Sequence, residues 1–208
     1  MDALSRRRVY PITDRHLSGI SHAEQIVKLS KGGATVVQLR EKIDSPAKFY
    51  DEAKAALRVA REHHVGLIIN DRVDIALALK VDGVHLGQDD LPPTAARLIL
   101  GPRAIIGFST HNLQQARHAA YMPIDYVAIG PIFATTTKRS SNPAVGLENV
   151  SLVRQAVGTL PLVAIGGITA ENMDLVFNAG VDAVAMISDL WTPTEQTNHK
   201  IQQLLTNS

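Results

Sequence analysis

Thr35-Val36-Val37-Gln38-Leu39-Arg40-Glu41-Lys42 begins as a β-branched strand and ends in charge. Side chains alternate faces along a strand, so Gln38, Arg40 and Lys42 share one side while Leu39 and Glu41 take the other. Two cations and an amide projecting together from a strand that starts buried are hard to explain by packing, because desolvating Lys and Arg without partners is costly. They predict an anion at the strand's end. The competing reading is a strand that runs out into water, charged at its end because it is solvated. The rest of the chain decides between the two.

Outward from this strand, short apolar runs alternate with segments of helical period. Strands are predicted at 9–13, 35–39, 66–69, 83–86, 104–108, 126–130, 162–165 and 183–187. Helices are predicted at 23–29, 46–63, 74–79, 95–100, 113–120, 151–157 and 170–178, with a last one near 195–205. Eight β-α pairs whose strands are apolar on both faces close most economically into an α/β fold, a single-domain (β/α)8 TIM barrel over residues 1–208. An open flavodoxin-like sheet needs only about five or six such units and is the weaker alternative. No Ser/Gly-rich or charge-block linker divides the 208 residues.

Composition narrows the function classes. Lys plus Arg number 21 against 20 Asp plus Glu, a formal net charge of +1, so no global field collects nucleic acid or an anionic membrane. Any phosphate chemistry must be local. The absence of cysteine removes disulfides, thiolate nucleophiles and thiolate-bound zinc. The first eight residues lack the apolar core of a signal peptide, and no apolar run approaches the roughly 18 residues of a membrane span. A soluble, cytoplasmic protein is expected.

In a barrel the active site lies at the carboxyl ends of the strands, and the informative polar residues fall there. The second strand delivers Gln38, Arg40 and Lys42; the third ends in Asn70-Asp71, and the fourth is followed by Gln88-Asp89-Asp90. Ser109-Thr110-His111 follow the fifth, and the sixth runs into Gly130-Pro131-Ile132-Phe133-Ala134-Thr135-Thr136-Thr137-Lys138. The last two give Gly166-Gly167-Ile168-Thr169 and Ile187-Ser188. Asp71 and Asp90 could each cap a following helix, but together beside Arg40 and Lys42 they predict a metal-diphosphate site, since Mg2+ takes one or two carboxylates plus phosphate oxygens and water. Asp89 is a substitute ligand that spacing alone does not exclude.

Gly166-Gly167, with Ile187-Ser188 on the next strand, match the usual barrel phosphate site; the alternative is a tight turn using glycine for its backbone freedom. Two anion sites imply two phosphorylated substrates. The segment 134–142 is too long and polar for a simple turn and predicts a lid, against a plain solvated loop. Lys138 within it fits a phosphate-binding cation better than a Schiff-base lysine, which needs desolvation. His85 reads as a core histidine and His111 as a loop residue. No Ser-His-Asp arrangement emerges.

Taken together, Val37-Gln38-Leu39-Arg40-Glu41-Lys42, Asn70-Asp71-Arg72, His85-Leu86-Gly87-Gln88-Asp89-Asp90, Gly130-Pro131-Ile132-Phe133, Thr135-Thr136-Thr137-Lys138 and Gly166-Gly167-Ile168 resemble the thiamine phosphate synthase family. The similarity runs from Tyr10 to Ser188. It implies a Mg2+-dependent barrel that joins 4-amino-2-methyl-5-pyrimidinylmethyl diphosphate to a thiazole phosphate, giving thiamine phosphate and diphosphate. Carried over residue by residue, it implies Gln38 on the pyrimidine and Arg40, Lys42, Asn70, Ser109 and Lys138 on the diphosphate. Arg40, Lys42, Ser109 and Lys138 are the catalytic candidates, and Glu41 and Thr136 fall within the implied substrate-binding runs. Asp71 and Asp90 would hold the metal, while Thr135, Thr137, Gly167, Ile187 and Ser188 would receive the thiazole phosphate.

Two positions depart from the family pattern. Ala134 stands where proline is frequent, and Asp189 where small apolar residues are usual; a carboxylate there weakens a phosphate site unless it points away or is paired. A thiazole tautomerase of the same superfamily would isomerise rather than couple and has no diphosphate to bind. A non-catalytic thiamine phosphate sensor would not need Mg2+.

Overall fold

Eight parallel strands close in chain order into a barrel: β1 (Arg8–Thr13), β2 (Val36–Leu39), β3 (Gly66–Asn70), β4 (Gly83–Leu86), β5 (Ile105–Thr110), β6 (Tyr126–Ile129), β7 (Leu162–Ile165) and β8 (Ala183–Met186). The closure is made by β1, which pairs with β2 through Ile12 and Gln38 and with β8 through Tyr10 and Ala185. The computed structural model describes residues 8–135, 143–191 and 197–206. The helices are α1 (Arg15–Ser18), α2 (His22–Lys31), α3 (Pro46–Glu62), α4 (Val73–Leu79), α5 (Pro93–Leu100), α6 (Leu113–Ala119), α7 (Leu147–Val157), α8 (Met173–Asn178), α9 (Ser188–Trp191) and α10 (Thr197–Thr206). Among these, none is long and apolar enough to cross a membrane.

The expected order of eight β-α pairs is present, with boundaries shifted by a few residues. Local chemistry sets several of them. Ser21 and Glu24 form a reciprocal capping box at the start of α2, Ser45 caps α3 ahead of Pro46, and Asn112 accepts from the N–H of Gln115 to start α6. Along each strand the side chains divide between two buried layers. Tyr10, Ile12, Val36, Ile68, Tyr126, Ala128, Val163 and Ala185 fill the barrel interior. Val37, Leu39, Leu67, Ile69, Val84 and Leu86 pack outward against the helices. Alternation therefore aims Gln38 inward, as the sequence predicts.

The two faces of the barrel do different work. At the amino ends of the strands Asp82, Asp125 and Asp182 accept from the backbone N–H groups of Leu67, Ile106 and Leu162 on the preceding strands, at 2.7, 2.8 and 2.8 Å. Arg97 and Arg154 then clamp Asp125 and Asp182, each at 2.7 Å. This face is tied down, which leaves the opposite face for chemistry.

One buried group makes stability pH-dependent. His22 on α2 is fully buried, and burial pushes its pKa down to about 4, with Arg15 assisting and Glu41, Asp14 and Asp44 opposing. The unfolded chain, with an ordinary histidine near 6.5, takes up the proton first as pH falls. The stability contributed by neutral His22 is thus present above that value and is lost on acidification towards 4. The stability gap between wild type and His22→Asn is expected to narrow by roughly 2 to 3 kcal/mol from about pH 7 to about pH 4.5. Urea melts at the two pH values measure it, and an unchanged gap would show that the buried ring does not titrate in this range.

Candidate active site

The carboxyl ends of the strands surround a cavity of about 570 Å3. Its floor is a chain of hydrogen bonds across the barrel. Gln38 donates from Nε2 to the Tyr10 hydroxyl at 3.3 Å, the Tyr10 and Tyr126 hydroxyls lie 3.2 Å apart, and Tyr126 reaches His85 Nδ1 at 2.8 Å. His85 Nε2 then meets Ser109 Oγ at 2.8 Å. Burial pushes the Tyr10 phenol up to about 12 and that of Tyr126 well above its ordinary value, so both keep their protons. The arrangement needs Gly107: a side chain there would stand 2.0 Å from the Tyr126 ring and 2.5 Å from His85 Nδ1. Ser109 and Gln38 are held in place from beneath.

One wall carries charge. Arg40, just past β2, donates to Asp14 at 2.8 Å, and Asp14 also accepts from the N–H groups of His16 and Leu17 at the start of α1. Lys42 pairs with Asp71. Asn70, at the end of β3, is buried, and its Nδ2 has no hydrogen-bond partner among the described residues. A donor so placed has a place for a ligand atom. Asp90 accepts from the N–H of Gly87 at 2.7 Å. Burial pushes the Asp71 carboxyl up, Lys42 pulls it back, and the negative charge of Asp90 raises it again, leaving it above the ordinary range.

Neither aspartate is a helix cap. Arg72 precedes α4 and Pro92 precedes α5, both without a side-chain cap bond, so the capping alternative fails for Asp71 and Asp90 alike. Two mutually repelling carboxylates at a cavity wall form a donor set that a divalent cation relieves. Among the described residues no cluster of three or more His, Asp or Glu side chains could by itself hold a metal. A cation here would need phosphate oxygens and water as its remaining ligands, which suits Mg2+ rather than a metal caged by protein. Asp89 is exposed at the rim of the cavity.

The opposite wall is backbone. Gly166, Gly167, Ile168, Ile187, Ser188 and Thr135 line it. Gly167 has φ +67°, and a Cβ there would lie 2.7 Å from Phe133 Cβ and 2.8 Å from the Ala134 carbonyl oxygen. Glycine is therefore required by the close approach of the loop after β6, as the tight-turn alternative holds, while its backbone still faces the cavity. A bulky Gly167 variant would disturb that loop first and is a poor probe of ligand contact. The expected charge conflict at Asp189 is resolved by pairing: Lys200 of α10 binds one oxygen at 2.6 Å, and the N–H of Ala170 donates to the other at 3.0 Å. Thr136, Thr137 and Lys138 lie outside the described residues, as does most of the expected lid at 134–142.

One expectation is corrected. Glu41 does not line the cavity. Its side chain is only 2% exposed and accepts from the N–H groups of Lys42, Ile43 and Asp44, on the far side of the strand end from Arg40. Four residues of the site had no role in the sequence reading. Tyr10 and Tyr126 look like ordinary barrel core, Asp14 is the N-cap of the short helix α1 directly after β1, and His85 is buried as expected but lines the cavity. Each sits at an inward-facing or strand-end position, and that is the one signal the sequence holds for them.

The sequence model of the family described as thiamine monophosphate synthase matches residues 9–190. A thiamine-phosphate synthase of Syntrophomonas wolfei is 46% identical over 183 residues, covering 88% of this chain and 87% of that protein. One of Koribacter versatilis is 42% identical over 205 residues, covering 95% of each chain. The structure of a thiamine phosphate pyrophosphorylase from Pyrococcus furiosus superposes with a TM-score of 0.86 at 34% identity, covering 97% of this chain and 95% of that one. With this barrel, this divided cavity and these relatives, the chain belongs to the thiamine monophosphate synthase family.

Proposed function

We propose that this chain is a transferase that couples 4-amino-2-methyl-5-pyrimidinylmethyl diphosphate to thiazole phosphate, forming thiamine phosphate and releasing diphosphate. The observation that carries this reading is the division of one cavity into a wall of cations and paired carboxylates, at Arg40, Lys42, Asp71 and Asp90, and a glycine-rich backbone wall at Gly166 and Gly167. Gln38, held by Tyr10, reads the pyrimidine. Arg40, Lys42, Asn70, Ser109 and Lys138 bind the diphosphate. Thr135, Thr137, Gly167, Ile187 and Ser188 receive the thiazole phosphate.

Asp71 and Asp90 would hold Mg2+, which when bound offsets charge on the diphosphate. The residues themselves position and stabilise. The C–O bond to diphosphate breaks first, leaving a carbocation stabilised by the pyrimidine. The thiazole nitrogen then forms the new C–N bond with its lone pair, so no proton has to be removed. That suits a cavity whose His85 has both ring nitrogens in hydrogen bonds. Catalysis rests on holding the two fragments in line and on cationic donors around the leaving group. Residues 1–208 act as one catalytic domain in this account, and a cytoplasmic location fits a chain without cysteine.

Diphosphate release distinguishes this reading from tautomerisation of the thiazole. Both substrates together with Mg2+ are expected to release one diphosphate per thiamine phosphate, while either substrate alone releases none. Isomerised thiazole without diphosphate would overturn the proposal.

A further inference from the structure

A carboxylate between two diphosphate-binding cations calls for explanation, since facing the ligand it would oppose binding. Glu41 faces the other way. One oxygen, Oε1, accepts from the backbone N–H groups of Lys42 and Ile43 at 2.8 Å each and of Asp44 at 3.2 Å. The other, Oε2, is buried with no hydrogen-bond partner and lies 3.9 Å from His22 Nε2, which is also buried without one. His16 approaches Oε1 at 3.8 Å and Arg15 approaches Oε2 at 4.0 Å.

His22 carries the connection onward. Its Nδ1 lies 2.8 Å from Thr13 Oγ1, and that hydroxyl is 3.3 Å from the Gln38 carbonyl oxygen and 3.4 Å from the Arg40 N–H. The buried set of Glu41, His22 and Thr13 therefore touches the backbone on both sides of Leu39, and the turn after it. All three side chains of β2 and its extension that face the cavity spring from this stretch. None of the three supporting groups lines the cavity itself.

We propose that Glu41, backed by His22 and Thr13, is a positioning residue that fixes the backbone from which Arg40 and Lys42 reach the diphosphate. The assignment rests on the substrate reading given above. Its physical content is preorganisation: N–H groups that would otherwise swing with a solvated loop are tied to one buried carboxylate, so the cations are aimed before substrate arrives.

The test compares Glu41→Ala, Glu41→Gln and Thr13→Val in steady-state kinetics with each substrate varied. Calorimetric titration with inorganic diphosphate and Mg2+ runs beside it. Glu41→Ala is expected to raise the KM for the pyrimidine diphosphate about tenfold or more, with the thiazole phosphate KM within about twofold, and to weaken diphosphate binding to match. Glu41→Gln keeps an oxygen facing the three N–H groups and should restore most of the affinity. Thr13→Val acts from the other end of the set and should raise the same KM; it decides the matter if Glu41→Ala does not fold. Equal changes for both substrates that track the melting temperature, or unchanged diphosphate affinity in all three variants, would overturn the positioning role. If wild type itself neither binds diphosphate nor forms product, the substrate reading fails instead.

Discussion

Asp71→Asn is expected to cut turnover by about three orders of magnitude and to shift Mg2+ activation to higher concentration, with little change in melting temperature. Two carboxylates alone bind Mg2+ weakly, because the ion gives up its waters reluctantly, so its affinity should also depend on diphosphate. At an effective dielectric of about 20, one unit-charge contact at roughly 4 Å is worth roughly 4 kcal/mol, equal to about a thousandfold in rate. The fold should tolerate the change, because Asp71 caps no helix and its side chain meets only Lys42 and Asp90 at the cavity wall among the described residues, while its backbone bonds to His85 and Val73 are kept. Asp90→Asn should behave alike, since an amide oxygen can still accept from Gly87. Asp89→Asn, at an exposed position, should not. Calorimetric Mg2+ titration with diphosphate present supplies a readout apart from turnover. Normal Mg2+ activation in both variants, with earlier melting, would make the two aspartates structural and the metal assignment wrong.

Arg40→Met is expected to lower kcat/KM for the pyrimidine diphosphate by about a hundredfold, with the thiazole phosphate KM nearly unchanged. Hydrogen bonds to charged groups are worth about 1.5 to 3 kcal/mol, and the Arg40 guanidinium is presented to the cavity by Asp14 at 2.8 Å. Arg40→Lys restores the charge without the planar fork and should recover only part of the loss. Asp14 keeps its two backbone donors at the start of α1, so melting should fall little in either variant. A comparable rise in both KM values would mean that Arg40 shapes the whole mouth rather than one subsite.

Much of this architecture is legible in the sequence because both of its periods are strong. Parallel strands buried on both faces read as unbroken apolar runs, and strand-end positions in a barrel converge whatever lies between them. That is why Gln38, Arg40, Lys42, Asn70, Asp71, Asp90 and Ser109 could be gathered from four separated segments and meet at one cavity. What escaped depends on partners that the alternation rule does not name. The rule put Glu41 on the far face, but that face holds buried His22 and three backbone donors, and chain proximity to Lys42 says nothing of this. Asp14, Tyr10, Tyr126 and His85 gain their roles from strands far away in sequence, as when Tyr10 meets Tyr126 across 116 residues. The pairing of Asp189 with Lys200 likewise needs the position of α10. The four-residue helices α1 and α9 are shorter than any window in which a helical period can be counted.

The most direct test of the central claim, that this cavity brings metal, diphosphate and thiazole phosphate together for one substitution, is mass detection of thiamine phosphate. The protein is incubated with both substrates, with Mg2+ and with a chelator in its place. Thiamine phosphate and diphosphate are expected in equal amounts with Mg2+, and very little of either with chelator. Coupling at full rate without Mg2+, or no coupled product under either condition, would contradict it.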